Sequence, residues 1–197
     1  MEGLTYDPED HSYRLDGVLV PSVSALVRIV APMPWIRPSV LEPARELGTY
    51  VHELIDIFED GDLHEPSLDE ELRPYLDAWK AFRESTGLEV LAREAMVGSR
   101  KLRFAGRLDL VGRWPRKSGL SVLDIKTGTV IEGAGPQTAG YALAWNESAE
   151  GPGNYVRDRF ALRLKGDGSY SLVPLRDPRD FAAFQAALVI HRWRESQ

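Results

Sequence analysis

Apolar residues recur along the chain with two different spacings, and each spacing predicts a different kind of secondary structure. In residues 41–60 and 69–87 they return every three or four positions, which predicts two amphipathic helices. In residues 12–20 apolar and polar positions alternate on both sides of Asp16-Gly17. Alternation around such a dipeptide predicts a β-hairpin.

The rest of the chain adds a loop, three strands, a second hairpin and three further helices. The predicted segments are a helix at 23–30, a proline-rich loop at 31–39, strands at 89–99, 101–114 and 119–128, a helix at 135–148, a hairpin at 155–175 and a C-terminal helix at about 178–195. This order predicts an α/β fold with a mixed central β-sheet flanked by helices. We expect a single domain over 1–197, with a core of about 41–175 and an N-terminal hairpin at 12–21.

Composition narrows the chemistry that the chain can carry. It has no cysteine, which excludes disulfides, thiol nucleophiles, cysteine-ligated zinc and cysteine-ligated iron–sulfur clusters. No apolar run approaches the ~20 residues of a membrane span, and the polar N-terminus is unlike a signal peptide. We therefore expect an intracellular, cytoplasmic protein with no membrane partner.

Charge is divided unevenly between the two halves of the sequence. Residues 1–90 carry 7 Lys and Arg against 19 Asp and Glu, whereas residues 91–197 carry 17 against 11. A basic stretch on an acidic protein can bind phosphate locally. The candidate nucleic-acid-binding residues are Arg100, Lys101, Arg103, Arg107 and Arg113. A solvated strand edge is the alternative explanation for any one of them.

The segment SVLDIKTG, residues 121–128, ends an apolar strand with two opposite charges. Asp124 and Lys126 share one face of that strand, because side chains alternate between faces. Asp109 interrupts the preceding strand in the same way. If the two strands are neighbours, their carboxylates converge and need a cation between them. Oxygen ligands favour Mg²⁺ or Mn²⁺, although a surface ion pair would also explain Asp124 and Lys126.

The order of these residues resembles the PD-(D/E)XK nuclease superfamily, and within it the RecB-type exonuclease group. The matching positions are a helical His52, Asp109, the triplet Asp124-Ile125-Lys126, and Gln137 with Tyr141. The resemblance implies a restriction-endonuclease-like core. That group includes phage and CRISPR-associated nucleases, which implies a bacterial or phage-encoded protein of DNA repair or recombination. The iron–sulfur cysteines of some members are missing here.

The resemblance also implies a role for each matching residue. The implied metal ligands are His52, Asp109, Asp124, the backbone carbonyl of Ile125 and, through water, Glu94. The implied catalytic residues are Asp109, Asp124, Lys126, Gln137 and Tyr141. Lys126 would handle the attacking water, and we expect burial near a metal to lower its pKa. The alternatives are an ion pair of Glu94 with Arg103 or Arg107, an exposed Gln137 and a core Tyr141.

These residues together predict a divalent-metal-dependent DNA nuclease, and the resemblance favours an exonuclease on single-stranded or frayed ends. A catalytically silent or partner-dependent nucleic-acid-binding subunit, a structure-specific endonuclease and an RNase are the alternatives. No phosphate-binding loop of the G-x-x-x-x-G-K-[ST] type occurs, so unwinding would need a helicase or recombination partner. Loops 31–40 and 61–69 are expected to select the substrate, and Trp35 and Trp114 are candidates for base stacking.

Overall fold

The chain folds into strands and helices that follow the predicted order closely. In the computed structural model, residues 2–128 and 133–197 are described. The strands are β1 (Leu4–Asp7), β2 (Ser12–Leu15), β3 (Val18–Val20), β4 (Glu89–Ser99), β5 (Phe104–Arg113), β6 (Leu120–Lys126), β7 (Val156–Leu164) and β8 (Tyr170–Pro174). The α-helices are α1 (Val23–Val30), α2 (Pro38–Asp60), α3 (Arg73–Thr86), α4 (Ala134–Ser148) and α5 (Arg179–Glu195).

A mixed sheet of β4, β5, β6, β7 and β8, in that spatial order, lies at the centre. Its neighbours pair antiparallel except β6 and β7, which run parallel. The parallel register places Asp124 beside Ala161 and Lys126 beside Arg163. Parallel strands need a crossover between them, and α4 provides it. The predicted α/β class with a mixed, helix-flanked sheet is confirmed.

Helices cover both faces of this sheet and form two separate apolar cores. One core joins α2 and α3 to the sheet, and its largest fully buried side chains are Trp79 and Phe82. The other core joins α1, α4 and α5 to the opposite face, where Phe104 packs edge-on against Phe184. Because both faces are covered, every residue of β6 from Leu120 to Ile125 is buried.

A second, smaller sheet of β1, β2 and β3 precedes the helices. The β2–β3 hairpin turns at Asp16-Gly17, as predicted. Both residues have positive φ, which is typical of this dipeptide in a tight hairpin turn. β1 was not predicted, because four residues between turns carry too short an alternation to stand out. Arg100 connects this sheet to the main one by donating from Nη2 to Oδ1 of Asp16 at 3.0 Å.

Two helix boundaries differ from prediction, and proline explains both. α2 begins at Pro38, inside the predicted loop, because a fixed φ suits the first helical turn. The loop prediction was therefore wrong for its last residues. α3 begins at Arg73 rather than residue 69, since the ring of Pro74 prevents the helix from extending further upstream.

The longest helix, α2, has 23 residues but carries charged side chains along its length. Across residues 2–128 and 133–197, none of the helices combines the length and the apolar character that crossing a membrane requires.

Candidate active site

The two acidic residues singled out on neighbouring strands lie next to each other. β5 pairs antiparallel with β6, and Leu110 is the register partner of Leu123, which places Asp109 opposite Asp124. The backbone N–H of Ile125 donates to Oδ2 of Asp109 at 2.6 Å. That bond replaces a rung of the ladder with a side-chain contact and holds the Asp109 carboxylate at the carboxyl end of β6.

Helix α2 brings His52 to the same place from one face of the sheet. Val51 and Ile55 are buried in the core beneath α2, which fixes the rotation of the helix and turns His52 toward the strand ends. Its Nε2 lies 3.4 Å from the carbonyl oxygen of Ile125 and 3.9 Å from Oδ2 of Asp109. The histidine, the carboxylate and the carbonyl therefore converge on one point.

Glu94, on β4, orients the histidine. Its Oε1 lies 2.8 Å from Nδ1 of His52, and because a carboxylate oxygen only accepts, Nδ1 carries the proton. The β4–β5 register runs from Arg93 to Ala95 without pairing Glu94, whose φ is 42°. A left-handed φ is strained for a residue with a side chain. The carboxylate contacts His52, whereas the alternative was an ion pair with Arg103 or Arg107.

His52, Glu94 and Asp109 each offer a ligand atom, and these three atoms lie within 4.8 Å of one another. Asp124 is not one of the three. Its Oδ1 accepts a hydrogen bond from Nζ of Lys126 at 2.8 Å, and its Oδ2 is buried with no hydrogen-bond partner among the residues that the structure describes. A buried carboxylate oxygen without a partner is costly unless a cation or donor satisfies it. The residues present therefore fit a divalent cation bound by oxygen and imidazole ligands.

The local electrostatics show the same excess of negative charge. Burial raises the pKa of Asp124 to about 6, with Lys126 opposing that rise and Asp109 adding to it. Burial lowers the pKa of His52, but Asp109 and Glu94 outweigh it and raise the pKa to about 9. Without a metal, a proton on His52 supplies the positive charge that these carboxylates demand.

The carboxylates of the site also shift the pKa of Lys126. Burial lowers the pKa of its ammonium group, as expected, but Asp124 and Asp109 overcome that effect and the net shift is upward. This upward shift belongs to the metal-free protein, and the lowering expected beside a bound metal stays a prediction. Lys126 is protonated and donates to Asp124, with 23% of its side chain exposed. It is placed to offer positive charge to a ligand.

The helical pair Gln137 and Tyr141 lies on α4, at the other face of the sheet. Tyr141 is buried against α1 and β5, and Gly106 makes room for its ring, because a Cβ at Gly106 would lie 3.0 Å from Cε1. Burial, followed by the charge of Asp109, holds the pKa of its phenol well above the usual value. Nε2 of Gln137 donates to its hydroxyl at 3.4 Å. Tyr141 is thus a neutral core residue that positions the partly exposed Gln137.

The basic candidates are spread over the surface rather than gathered into one patch. Arg100 and Arg103 contact the small sheet at Asp16 and the carbonyl of Leu15. Arg113 lies at the opposite end of β5, and Lys101 is exposed at the β4–β5 turn. Arg107 alone shares the neighbourhood of Asp109, exposed and stacked over a tyrosine ring 5.1 Å away.

The two tryptophans proposed for base stacking differ in exposure. Trp35, between α1 and α2, is 82% exposed. Trp114 packs edge-on against Phe82 and Phe160 in the α2–α3 core and donates from Nε1 to Oγ of Ser121. Trp114 thus contacts aromatic rings of the core, whereas Trp35 presents its ring to solvent.

Comparison with known protein families matches residues 65–193 to the model described as the PD-(D/E)XK nuclease superfamily. The chain belongs to the PD-(D/E)XK nuclease superfamily. The matched range contains Asp109, Asp124 and Lys126, together with the α4 pair. It begins at residue 65 and so does not include His52. No curated protein matches the sequence.

Among solved structures, this PD-(D/E)XK chain is similar to two of LHK-Exo, an alkaline exonuclease from Laribacter hongkongensis. The structure in complex with dAMP is 14% identical, with 89% of this chain and 87% of that chain covered and a TM-score of 0.45. The second is also 14% identical, with 89% and 92% covered and a TM-score of 0.38.

Within the PD-(D/E)XK match, the structure adds one residue that sequence reasoning missed. Arg163, on β7, is the register partner of Lys126 on β6. Nothing in the sequence connects the two, since they are far apart and the parallel pairing becomes visible only in the fold. Alternation along β7 gave the only signal, because it separates Arg163 from the apolar residues on either side.

Proposed function

We propose that the protein is a divalent-metal-dependent DNA nuclease, a RecB-type exonuclease that hydrolyses phosphodiester bonds at single-stranded or frayed ends. The observation that carries this proposal is the buried Oδ2 of Asp124, which has no hydrogen-bond partner within residues 2–128 and 133–197 and lies beside Asp109, His52 and Lys126. Superfamily membership supports the nuclease activity. We further propose that the substrate is DNA and that cleavage starts from DNA ends.

The proposed ligands are Asp109, Asp124, His52 and the carbonyl of Ile125, with Glu94 orienting His52. The chemistry that Mg²⁺ or Mn²⁺ supplies when bound is polarisation of a phosphoryl oxygen and a lower pKa of water. Imidazole among oxygen ligands favours Mn²⁺ over Mg²⁺. The proton that His52 holds through Asp109 and Glu94 must leave when the imidazole becomes a ligand.

The chain's own contribution to hydrolysis comes mainly from Lys126. Asp124 holds its ammonium at 2.8 Å, and part of the side chain faces solvent. A protonated lysine fixed at the edge of the carboxylate cluster stabilises negative charge that builds on the phosphate in the transition state. Gln137, supported by Tyr141, lies on α4, which covers the sheet face opposite α2, and is proposed to contact the same strand.

The test compares cleavage of end-labelled single-stranded DNA, duplex DNA, closed circular DNA and RNA in Mn²⁺, Mg²⁺ or EDTA. Lys126→Gln removes the proposed catalytic ammonium. Lys117→Gln is the matched control, because Lys117 makes a similar 2.7 Å ion pair with Asp158 away from the site. Metal-dependent loss of linear DNA, reduced at least about 100-fold only by Lys126→Gln, supports the proposal.

Other outcomes redirect the proposal. Nicking of closed circles indicates an endonuclease, and preferential loss of RNA indicates an RNase. If the wild type binds DNA but leaves every substrate intact, the chain is a catalytically silent or partner-dependent subunit. Adding a helicase or a recombination extract then separates these two cases, because only a partner-dependent subunit gains cleavage activity.

A further inference from the structure

Arg163 lies beside the proposed catalytic lysine but outside the ligand cluster. β6 and β7 are parallel and paired from Leu120–Val156 to Lys126–Arg163, so their carboxyl ends meet at the same edge of the sheet. Neighbouring strands are about 4.8 Å apart, and register partners in a ladder project to the same face. Arg163 is therefore the next side chain along the sheet from Lys126, on the side away from Asp109.

The packing of β7 establishes which face Arg163 occupies. Leu162 and Leu164 belong to the core under α2 and α3. Arg159, an even number of residues earlier, donates to the carbonyl of Gly135 on α4 at 2.8 Å. Arg163 therefore lies on the α4 face. On β6, Leu123 and Ile125 likewise point into the α2–α3 core. Because side chains alternate along a strand, Asp124 and Lys126 point to the α4 face, as Arg163 does.

Arg159 and Arg163 share a face and differ in what binds them. Arg159 is 6% exposed, donates to two backbone carbonyls and pairs with Asp180 at 3.0 Å. Arg163 is more exposed and, among the residues that the structure describes, makes no hydrogen bond or ion pair. Its Nε is buried and has no hydrogen-bond partner in the described ranges, 2–128 and 133–197. Arg159 holds the fold together, whereas none of the described residues uses the guanidinium donors of Arg163, which leaves these donors available to a ligand.

We propose that Arg163 binds a non-bridging phosphate oxygen of the DNA strand, at a phosphate next to the one that is cleaved. The guanidinium presents paired N–H donors that match phosphate oxygens, and it is charged at every working pH. Lys126 lies between Arg163 and the ligand cluster, so the scissile phosphate faces Lys126 and the next phosphate along the strand reaches Arg163. This inference rests on the proposed function, because it takes a phosphodiester strand as the ligand.

The experiment measures binding of a short fluorescent single-stranded oligonucleotide by anisotropy, with Ca²⁺ in place of Mn²⁺ at a concentration at which no product forms. Arg163→Gln is expected to weaken binding about 10- to 100-fold, the usual effect of losing one charge-assisted hydrogen bond. It is also expected to lower the salt slope by about 0.7, the value for one phosphate contact on a single strand. Arg163→Lys keeps the charge and recovers part of the affinity.

Arg157→Gln is the matched control. Arg157 is an exposed arginine on the same strand, six residues or ~20 Å from Arg163 toward the opposite sheet edge. Arg157→Gln removes the same charge, and its affinity for the oligonucleotide is expected to stay within about twofold of the wild-type value. Thermal unfolding of each variant confirms that the fold is retained.

A series of oligonucleotides, each with one neutral methylphosphonate, identifies the phosphate. At one position next to the cleavage point, the wild type and Arg163→Gln should bind equally, and at the other positions the difference should persist. The proposal is overturned if Arg163→Gln binds like the wild type, or if no single position removes the difference. Failure of the wild type to cleave any nucleic acid rejects the proposed function itself, and cleavage with unchanged Arg163→Gln affinity rejects only this inference.

Discussion

Proton release on metal binding is the most direct test of the proposed ligand set. Asp109 and Glu94 raise the pKa of His52 to about 9 against the opposing effect of burial, so the ring is charged at neutral pH. An imidazolium cannot ligate a metal, and the ion must displace its proton. Between pH 7 and pH 8 the apparent Mn²⁺ affinity should therefore rise about tenfold, or ~1.4 kcal/mol.

Calorimetric titration at pH 7 in two buffers with different ionisation enthalpies measures this directly. The wild type should release close to one proton for each Mn²⁺ bound. His52→Gln should lose both the proton release and the pH dependence, while His64→Gln, in an exposed segment, should keep both. An affinity that stays flat between pH 7 and pH 8, or release that survives in His52→Gln, would refute the assignment of His52 as a ligand.

The same pKa shift affects the stability of the metal-free protein. A histidine whose folded pKa is raised stabilises the fold fully below its unfolded pKa of 6.5, and loses that contribution as the pH rises through about 9. The shift corresponds to at most ~3 kcal/mol. The free energy of unfolding in urea should therefore fall between pH 6.5 and pH 9 in the metal-free wild type. It should fall less steeply over the same range in His52→Gln.

Three further predictions concern single side chains. Burial raises the pKa of Asp124 to about 6, so the metal-free fold loses stability as the pH rises from 3.8 through 6. Asp124→Asn should therefore melt no lower than the wild type at pH 7 in EDTA. If Mn²⁺ still raises the melting temperature of Asp124→Asn, the result would count against the proposed metal site. Glu94→Gln should weaken Mn²⁺ binding about 10- to 100-fold by calorimetry, since it loosens the orientation of the ligating histidine; unchanged affinity would show that Glu94 has no such role. Gly140→Ala should lower the free energy of unfolding in urea by ~1–3 kcal/mol, because its Cβ would lie 2.6 Å from the ring of Phe184. Gly48→Ala should not destabilise the fold, because among the described residues its Cβ would meet only Thr127, at 3.8 Å.

The residues that could be predicted from the sequence are those placed by local periodicity. Asp109 and Asp124 interrupt apolar strands joined by a short basic turn, and such strands pair as neighbours. The apolar stripe of α2 determines which side of the helix packs on the sheet, and hence where His52 points. For these residues, their order and spacing along the chain were enough to predict where they lie in the fold.

Other features depend on long-range geometry that no local pattern carries. The neighbour relation of Lys126 and Arg163 requires the parallel pairing of β6 with β7. The upward pKa shift of Lys126 depends on two carboxylates outweighing burial, and their distances are set by the fold. The contact between Glu94 and His52 depends on a backbone conformation at Glu94 that residue type disfavours.

The left-handed backbone at Glu94 makes that position a point of compromise between durability and activity. With φ at 42°, any side chain other than glycine costs about 1 kcal/mol or more there. A mutation to glycine would relieve the backbone while deleting the carboxylate that holds His52. Above about pH 9, where His52 has lost its proton and the charge of Glu94 no longer stabilises the metal-free fold, a laboratory evolution screen for thermal robustness alone should therefore replace Glu94 by glycine. Selection for activity should keep the strained residue.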